Sequence, residues 1–308
     1  MTRAGQMHVG TMSKTLRDMR KSWKSYLLLS PYLVIFGLFT IVPVVTAIYL
    51  SFTYFNILEP PVFIGFRNYI RLFVEDDVFL IAVQNTLSLA LITGPIGYIA
   101  SFLLAWMINE ITPKIRALVI LIFYAPTISG QVYFIWKLLF SGDAYGLING
   151  FLMRLGFVDD PVQWLTDPAH IMPTVIIAVL WMSLGAGFLA FVAGLQGVDR
   201  SQYEAGYVDG IRNRMQELWY ITLPSMKPQL MFGAIMSITA SFAAGDVVTN
   251  LVGFPSTDYA GHTIVAHLMD YGSIRFEMGY ACAIATVLFL FMIGVNKLVQ
   301  KLLSKVGS

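Results

Sequence analysis

The stretch EAGYVDGIRNRMQELWYITLP, residues 204–224, interrupts a chain that consists largely of long apolar runs. It contains two arginines, two tyrosines, one tryptophan and two acidic residues besides Glu204. Of the 308 residues, 57% are hydrophobic and 12% are charged, whereas soluble domains carry roughly 25% charged residues. Most of the chain is therefore expected to lie out of water, with this stretch as a polar insert between two apolar segments.

The apolar runs on both sides of the insert are long enough to cross a bilayer. A helix needs about 20 residues to span ~30 Å of hydrocarbon. Helices are the expected spanning elements, because the alternating segments of about ten residues that build membrane β-barrels are missing. The sequence therefore predicts an all-α polytopic membrane protein with six transmembrane helices. Their predicted bounds are 27–54, 79–108, 116–140, 171–195, 223–251 and 278–298.

Basic residues are distributed unevenly between the two sides that these spans define. Of the 20 Lys and Arg residues, fifteen fall on the side of the termini and the insert. The other five are Arg67, Arg71, Lys137, Arg154 and Arg275. Because basic loops stay in the cytoplasm, both termini and the insert are predicted to be cytoplasmic. The chain divides into a basic N-terminal segment at 1–26, a six-helix domain at 27–303 with the insert loop at about 199–222, and a tail at 304–308.

The cysteine and histidine residues do not indicate a disulfide, a metal site or a catalytic site. Cys282 is the single cysteine and lies in the sixth predicted span, which excludes an internal disulfide and a cysteine-based metal site. His262 and His267 are five residues apart near the end of a span. This spacing is weak for metal ligands, and we interpret both histidines as surface residues. No Ser-His-Asp or Cys-His set is indicated.

The insert begins with a helix signal. Ser201 and Glu204 form an S-x-x-E pattern, the capping box that starts a helix. Gly206 and Gly210 are four residues apart and would share one helical face, where they allow close approach of another backbone. Glycine is costly inside a short helix, so Gly210 is alternatively the break between two helical pieces.

Large aromatic side chains lie beside these small residues. Tyr203 and Tyr207 recur at helical spacing on a loop that is predicted to be cytoplasmic. Such a surface suits docking to a partner protein. A helix that joins two spans can also pack on its own bundle, and the chemistry of the insert leaves both interpretations open.

The insert resembles the EAA loop of permease subunits in bacterial ABC importers. The resemblance lies in Glu204-Ala205-Gly206, in Gly210, and in the segment ITLP at 221–224. The flanking LQGVDRSQYEAGYVDG, residues 195–210, and SPYLVIFGLFTIVPVVTAIYLSFTYFN, residues 30–56, resemble the maltose-type, carbohydrate-uptake branch. The resemblance covers about 30–303. Three departures are that Gly206 stands where alanine is usual, that Asp199-Arg200 replaces the usual Ile/Val-Pro pair, and that ten residues instead of nine separate Gly210 from Ile221. The extra residue is expected to rotate or lengthen the second half of the helix.

The resemblance implies a type I ABC importer permease in the bacterial cytoplasmic membrane, without catalysis of its own. It implies a coupling helix that seats in a groove of a cytoplasmic ATPase and presents Tyr203, Glu204, Ala205, Gly206, Asp209 and Gly210. The implied partners are a second permease subunit in a heterodimer, a dimer of ATP-binding subunits, an external solute-binding protein, the lipid bilayer and a sugar, with no nucleic acid. The chain has no G-x-x-x-x-G-K-[ST] motif, so it is expected to bind no cofactor, with ATP and Mg²⁺ at the partner ATPase.

Asp246 is the only charged residue deep within a predicted span, and charges in membranes are costly and usually functional. Phe242, Asp246 and Asn250 are four residues apart and are predicted to share one face of the fifth helix. A ring that stacks on a pyranose, beside polar groups that bind its hydroxyls, suits a sugar site. The alternative is that Asp246 pairs with a polar group across helices and stabilises the bundle.

In the resembling family, the fourth and fifth spans line the central cavity. The implied substrate-path residues are Trp181, Ser183, Ala186, Phe242, Asp246 and Asn250. Small residues in the fourth span, including Gly185 and Gly187, would leave room for a solute, or alternatively allow tight helix packing.

Two other classes of protein compete with a transport subunit. An ion-coupled secondary transporter of a polar solute usually carries several buried ionisable groups, whereas only Asp246 qualifies here, and no inverted hydropathy repeat is apparent. A membrane enzyme needs a clustered catalytic set, and none is indicated.

Overall fold

The structure, a computed structural model, describes residues 21–129 and 132–303. Within these residues, the only strands are the antiparallel pair β1 (Thr53–Tyr54) and β2 (Val62–Phe63). The regular structure is otherwise helical, which confirms the predicted all-α class. Residues 1–20 of the predicted N-terminal segment and the tail at 304–308 lie outside the described residues.

In the described part of the chain, five helical segments are long and apolar enough to cross a membrane. They are α1 (Trp23–Leu50), α3 (Asp77–Asn109), α7–α8 (Pro168–Gly197), α12–α13 (Lys227–Val252) and α15 (Met278–Leu303). Two of these segments are interrupted. Residues 182–185 separate α7 (Pro168–Trp181) from α8 (Ala186–Gly197), and residues 243–244 separate α12 (Lys227–Phe242) from α13 (Gly245–Val252).

The remaining described helices are shorter. They are α2 (Arg67–Ile70), α4 (Pro113–Ser129), α5 (Tyr133–Leu139), α6 (Leu147–Arg154), α9 (Arg200–Val208), α10 (Arg214–Glu217), α11 (Leu223–Ser225) and α14 (Ile264–Met269), with a 3₁₀ turn at Thr257–Tyr259. The described residues also include π turns at Gly37–Ile41, Arg71–Glu75, Leu218–Thr222 and Asp270–Ile274.

The third predicted span, 116–140, is not one continuous helix. It is divided into α4 and α5, whose axes are bent by 93°, and residues 130–131 between them lie outside the described residues. With this bent pair counted as one span, the described chain agrees with the predicted six spans.

The first span is exposed along its whole length. No residue of α1 is buried, and its second half contacts only the neighbouring β1 and α15 to any extent. A helix of this hydropathy is stable against lipid, and its large apolar surface is left uncovered by the other described residues.

The other spans pack where α3, α8 and α12 meet. Phe188 and Phe191 of α8 are fully buried. The Phe191 ring makes edge-to-face contacts with Tyr98 and Phe102 of α3. It also lies against Gly233 of α12, where a Cβ atom would overlap the ring. These contacts position the two interrupted spans closely on α3.

The end of α3 that is remote from the insert is closed by buried polar side chains, which we call the histidine cluster: Asp76, His262, His267, Tyr271 and Tyr280. Asp76 Oδ2 accepts hydrogen bonds from the Tyr280 hydroxyl at 2.7 Å and from His267 Nε2 at 3.1 Å. His267 Nδ1 lies 3.1 Å from His262 Nε2. His262 and His267 are only 2% and 1% exposed, so the prediction that they are surface residues is wrong.

Burial governs the protonation of this cluster. Burial, reinforced by the neighbouring His267, lowers the pKa of His262 to about 4. Burial also lowers the pKa of His267, against the opposing attraction of Asp76. Burial alone would raise the pKa of Asp76, but hydrogen bonds from Tyr280 and the Phe79 N–H, together with His267, lower it overall. At neutral pH the cluster is therefore a carboxylate surrounded by neutral donors.

Candidate functional site

The insert folds as a helix, but it does not begin where the capping pattern predicts. The N-cap of α9 is Asp199, whose carboxylate accepts a hydrogen bond from the Ser201 backbone N–H at 3.0 Å. Glu204 lies a full turn further on, with its carboxylate 3.7 Å from Arg200 Nε on the helix surface. The predicted capping box of Ser201 and Glu204 is therefore wrong, because an acidic cap two residues earlier already satisfies the helix end.

Gly206 and Gly210 have separate roles. Gly206 is buried inside the insert, where a Cβ atom would lie 2.5 Å from Ile221 Cδ1 and 3.0 Å from Ile211 Cδ1. Gly210 follows the helix with φ of 96°, and the Ile211 N–H bonds back to the Gly206 carbonyl at 2.9 Å. This is a Schellman-type helix end. The shared glycine face is wrong, and the alternative of a break at Gly210 is confirmed.

The aromatic stripe is likewise divided between two environments. The Tyr203 hydroxyl lies 2.9 Å from Thr222 Oγ1, so this ring is turned towards the second half of the insert. Tyr207 and Val208 are 74% and 86% exposed. The exposed predicted docking residues are Glu204, Ala205, Asp209 and Gly210. The outward surface of α9 is thus free for a partner, while its inward surface is held by this chain.

The second half of the insert is attached to the loop that follows α3. The Arg214 guanidinium donates to Glu217 Oε2 at 2.7 Å and to Glu110 Oε2 at 2.9 Å. Glu110 is the residue that ends α3. The insert and the 110–112 loop therefore lie at the same end of the bundle, as the alternation of predicted spans requires.

The interruption in the fourth span opens a surface against α3 and α4. Ser101 of α3 and Thr127 of α4 donate to the carbonyls of Ser183 and Leu184, at 3.4 and 2.9 Å. At Gly97 of α3, an added Cβ would lie 2.9 Å from Ser183 Cβ. The backbone carbonyls released by the break are thus satisfied by hydroxyls from neighbouring helices, which makes an unwound turn tolerable in a membrane.

Three adjoining cavities follow α12 and α13, and we call them the polar run. The first, about 220 Å³, is lined by the interruption in the fourth span, including Ser183 and Ala186. The second, about 290 Å³, shares Ser183 and Ser237 with the first and reaches Asp246. The third, about 240 Å³, shares Asp246 with the second and extends to Asp270. The structure thus brings three of the predicted path residues to one continuous surface.

An apolar cleft lies on another side of α12. Its two cavities, about 280 and 320 Å³, share Leu87, Phe242 and Phe291. Phe242 is 5% exposed, and its ring makes an edge-to-face contact with Phe291 of α15. Asp246 and Asn250 are exposed beyond the interruption at 243–244. The predicted shared face of Phe242, Asp246 and Asn250 is therefore wrong, because the break redirects the helix between them.

Two further predicted path residues lie away from the polar run. Trp181 packs edge-to-face on Trp136 of α5, with ring centroids 5.5 Å apart. The Asn250 side chain donates to the Asp246 carbonyl at 2.8 Å. Neither lines any of the three cavities. Ser237, which lines two of them, was not predicted, because it lies outside the four-residue spacing of Phe242, Asp246 and Asn250.

Known proteins resemble the chain over nearly its whole length. Residues 10–305 match the family described as the binding-protein-dependent transport system inner membrane component. The lactose transport system permease protein LacF of Rhizobium radiobacter is 30% identical over 303 residues, which cover 94% of this chain and 97% of that protein.

Solved structures agree with this match. One is a bacterial ABC transporter involved in the import of the acidic polysaccharide alginate, with a TM-score of 0.70 and 26% identity over 92% of this chain and 98% of that chain. Another is a bacterial alginate ABC transporter in complex with an alginate pentasaccharide-bound periplasmic protein, with a TM-score of 0.71, 26% identity and the same coverage.

Proposed function

The chain belongs to the family of inner membrane components of binding-protein-dependent transport systems, and from this premise we propose that it is the permease subunit of an ATP-driven sugar importer. It forms half of the translocation pathway and leaves ATP hydrolysis, with its Mg²⁺, to a partner subunit. This family match favours the importer over an ion-coupled secondary transporter. The observation that carries the proposal is α9, an exposed helix at the position of the EAA loop.

α9 is proposed to be the coupling helix, with both termini of the chain in the cytoplasm. Its outward residues, among them Glu204, Ala205 and Val208, face the ATPase subunit. Its inward contacts pass any displacement to the bundle, since Gly206 packs on Ile221. Closure of the ATPase dimer would thus move α9 and the attached helices as a body, which is a known form of conformational coupling.

The contact of Arg214 with Glu110 extends this coupling to the end of α3. α3 in turn lies against the interrupted fourth span through Ser101 and Gly97. A motion of the insert therefore has a continuous packed route to the polar run. We propose the polar run as this subunit's part of the solute path, with Ser183, Ala186 and Asp246 lining it.

Two further partners are proposed. A second permease subunit completes the pathway, and it is expected to cover part of α1, of which no residue is buried within this chain. A solute-binding protein delivers the sugar from the outer side, as the family description and the complex of the alginate transporter suggest.

The coupling assignment is tested by placing a charge on the outward face of α9. Val208→Asp replaces an apolar side chain that is 86% exposed, so folding should be unaffected, because surface substitutions usually change stability by about 0.5 kcal/mol or less. We expect the ATPase subunit to be lost on purification of the complex and sugar uptake to fall at least about tenfold, a loss of ~1.4 kcal/mol in coupling free energy.

Leu58→Asp is the matched control, because Leu58 is an apolar side chain of 90% exposure in the β1–β2 hairpin, away from the insert. It should retain the ATPase subunit. Wild-type uptake and ATPase retention in the Val208→Asp variant would show that α9 does not dock the ATPase.

A further inference from the structure

We propose that the polar run selects against anionic solutes, so that the sugar crossing this subunit is neutral or cationic. The inference rests on the proposed function, because it takes the polar run as the solute path. It separates two classes of solute that are both represented among similar proteins, since LacF is a lactose permease protein and the structural neighbour imports an acidic polysaccharide.

The hydroxyl groups along the polar run present oxygen lone pairs to the cavities. Ser183 donates its hydroxyl hydrogen to the Leu180 carbonyl at 2.6 Å. Ser237 donates to the Gly94 carbonyl at 2.8 Å, and Ser241 donates to the Ser237 carbonyl at 2.8 Å. A hydroxyl has a single hydrogen to donate, so each of these oxygens remains available only as an acceptor. Sugar hydroxyls can donate to such a surface, whereas a carboxylate or phosphate can only accept.

Asp246 adds a fixed negative charge at the junction of two cavities. Among the described residues, its carboxylate has no ion-pair or hydrogen-bond partner. It lies in the first turn of α13, where the helix dipole favours a negative charge. Because Asp246 lines two of the cavities, it presents this charge to a solute that occupies the run.

No cation offsets this charge within the run. None of the described residues that line the three cavities is lysine, arginine or histidine. The other carboxylate of the run, Asp270, is paired with the Arg275 guanidinium at 2.8 Å. The screening length is about 8 Å at physiological ionic strength, so the Asp246 charge acts on a solute that occupies the cavities it lines. An anionic sugar would thus meet like charge and three serine hydroxyls, those of Ser183, Ser237 and Ser241, whose hydrogens are already donated to backbone carbonyls.

The test uses charged thiol reagents as model solutes on the complete importer in proteoliposomes. Ala240 is exposed and lines the first two cavities, so Ala240→Cys in a Cys282→Ser background places a probe in the run. The rates of modification by a cationic and an anionic methanethiosulfonate are each divided by the rate for a neutral one. We expect the cationic reagent to react faster, and Asp246→Asn to reduce the cationic-to-anionic ratio about fivefold.

Two controls assign the effect to the charge at this position. Asp246→Glu keeps the charge and should preserve the ratio. Ile238→Cys lines the apolar cleft on another side of α12, and its ratio should not respond to Asp246→Asn.

The outcomes separate this inference from the function on which it rests. Modification of Ala240→Cys by the neutral reagent, with a ratio that Asp246→Asn leaves unchanged, overturns the charge selection alone. Absence of modification by the neutral reagent, with and without ATP, would show that the polar run is not the solute path. This result overturns both the charge selection and the proposed path.

Discussion

The two ends of the bundle treat their polar and aromatic side chains in opposite ways. At the insert, Tyr207 and Val208 are 74% and 86% exposed, and Glu204 has only a surface contact with Arg200. In the histidine cluster, the Asp76 and His267 side chains are 8% and 1% exposed and are bonded to each other. At one end the polar groups bond to each other within the chain, whereas at the other end large side chains are mostly exposed.

This difference separates the groups that stabilise the fold from those that we propose to couple the chain to its partner. A buried polar network contributes to folding and is strongly destabilised when one member is removed. An exposed helix contributes little to the fold and is available to a partner. Substitutions in the histidine cluster should therefore change thermal stability first, while substitutions on the outward face of α9 should change coupling at constant stability.

The largest effect is expected for Asp76→Ala. The change removes the carboxylate that accepts hydrogen bonds from Tyr280 and His267. It also removes the N-cap of α3, since Asp76 Oδ1 accepts a hydrogen bond from the Phe79 N–H at 2.9 Å. We expect a loss of about 3–5 kcal/mol, seen as a lower thermal midpoint and poor recovery of purified subunit in detergent. Asp76→Asn keeps an acceptor and should be milder. A wild-type thermal midpoint for Asp76→Ala would contradict the comparison between the two ends of the bundle, because the histidine cluster would then not stabilise the fold.

A smaller effect is expected for Gly206→Phe, on the inward side of the insert. The added ring would have to displace Ile221 and Ile211, and overpacking of this kind costs about 1–3 kcal/mol. Sugar uptake should fall because α9 is displaced from its packing position against Ile221. Gly206→Ala meets only the mobile ends of isoleucine side chains and should behave nearly as wild type. Equal thermal midpoints and uptake for the Phe and Ala variants would show that the insert is not held through Gly206.

A pH-dependent effect is expected at His262. Its pKa falls from about 6.5 in the unfolded chain to about 4 in the folded one, so the unfolded state binds more protons in this interval. Stability should therefore decrease as the pH falls from about 6.5 towards 4, and stay level above that range. His262→Gln removes this contribution, so the thermal midpoint of the variant should fall less between pH 7 and pH 5. If the thermal midpoints of the wild type and the variant fell equally between pH 7 and pH 5, His262 would not be buried in its neutral form.

The smallest effect on stability is expected for Tyr207→Ala. The Tyr207 ring is 74% exposed, so its removal should change the free energy of unfolding by no more than about 0.5 kcal/mol and leave the thermal midpoint nearly unchanged. Retention of the ATPase subunit should nevertheless decrease. A large drop in the midpoint without loss of the ATPase would reverse the comparison and make the insert a packing element.

The spans could be predicted from the sequence because bilayer thickness fixes the length of an apolar run. Their interruptions could not. The break at 182–185 depends on hydroxyls that α3 and α4 supply, and the break at 243–244 turns Phe242 away from Asp246. Helical periodicity assumes an uninterrupted helix, so a prediction based on four-residue spacing fails at such a break.

The histidine cluster was missed for a related reason. His267 and Asp76 form a hydrogen bond but lie 191 residues apart in the chain. A local sequence pattern cannot predict such a long-range contact. The available signal was Asp76 itself, an N-cap residue at the start of a long span. For the insert, the helix could be predicted, and four of the six predicted docking residues are exposed, whereas Tyr203 and Gly206 face inward. The choice of Asp199 over Ser201 as the cap depends on local backbone geometry.

The π turn at Leu218–Thr222 overlaps the segment between Gly210 and Ile221, which is one residue longer than the EAA pattern predicts. A π turn arises where one residue is added to an α-helix, and the added residue is accommodated within a single turn. The segment between Gly210 and Ile221 can therefore change in length by one residue without rotating α9. In evolutionary terms, a deletion there would restore a plain α-helix, and lineages that differ by this one residue would still expose the same outward face of α9.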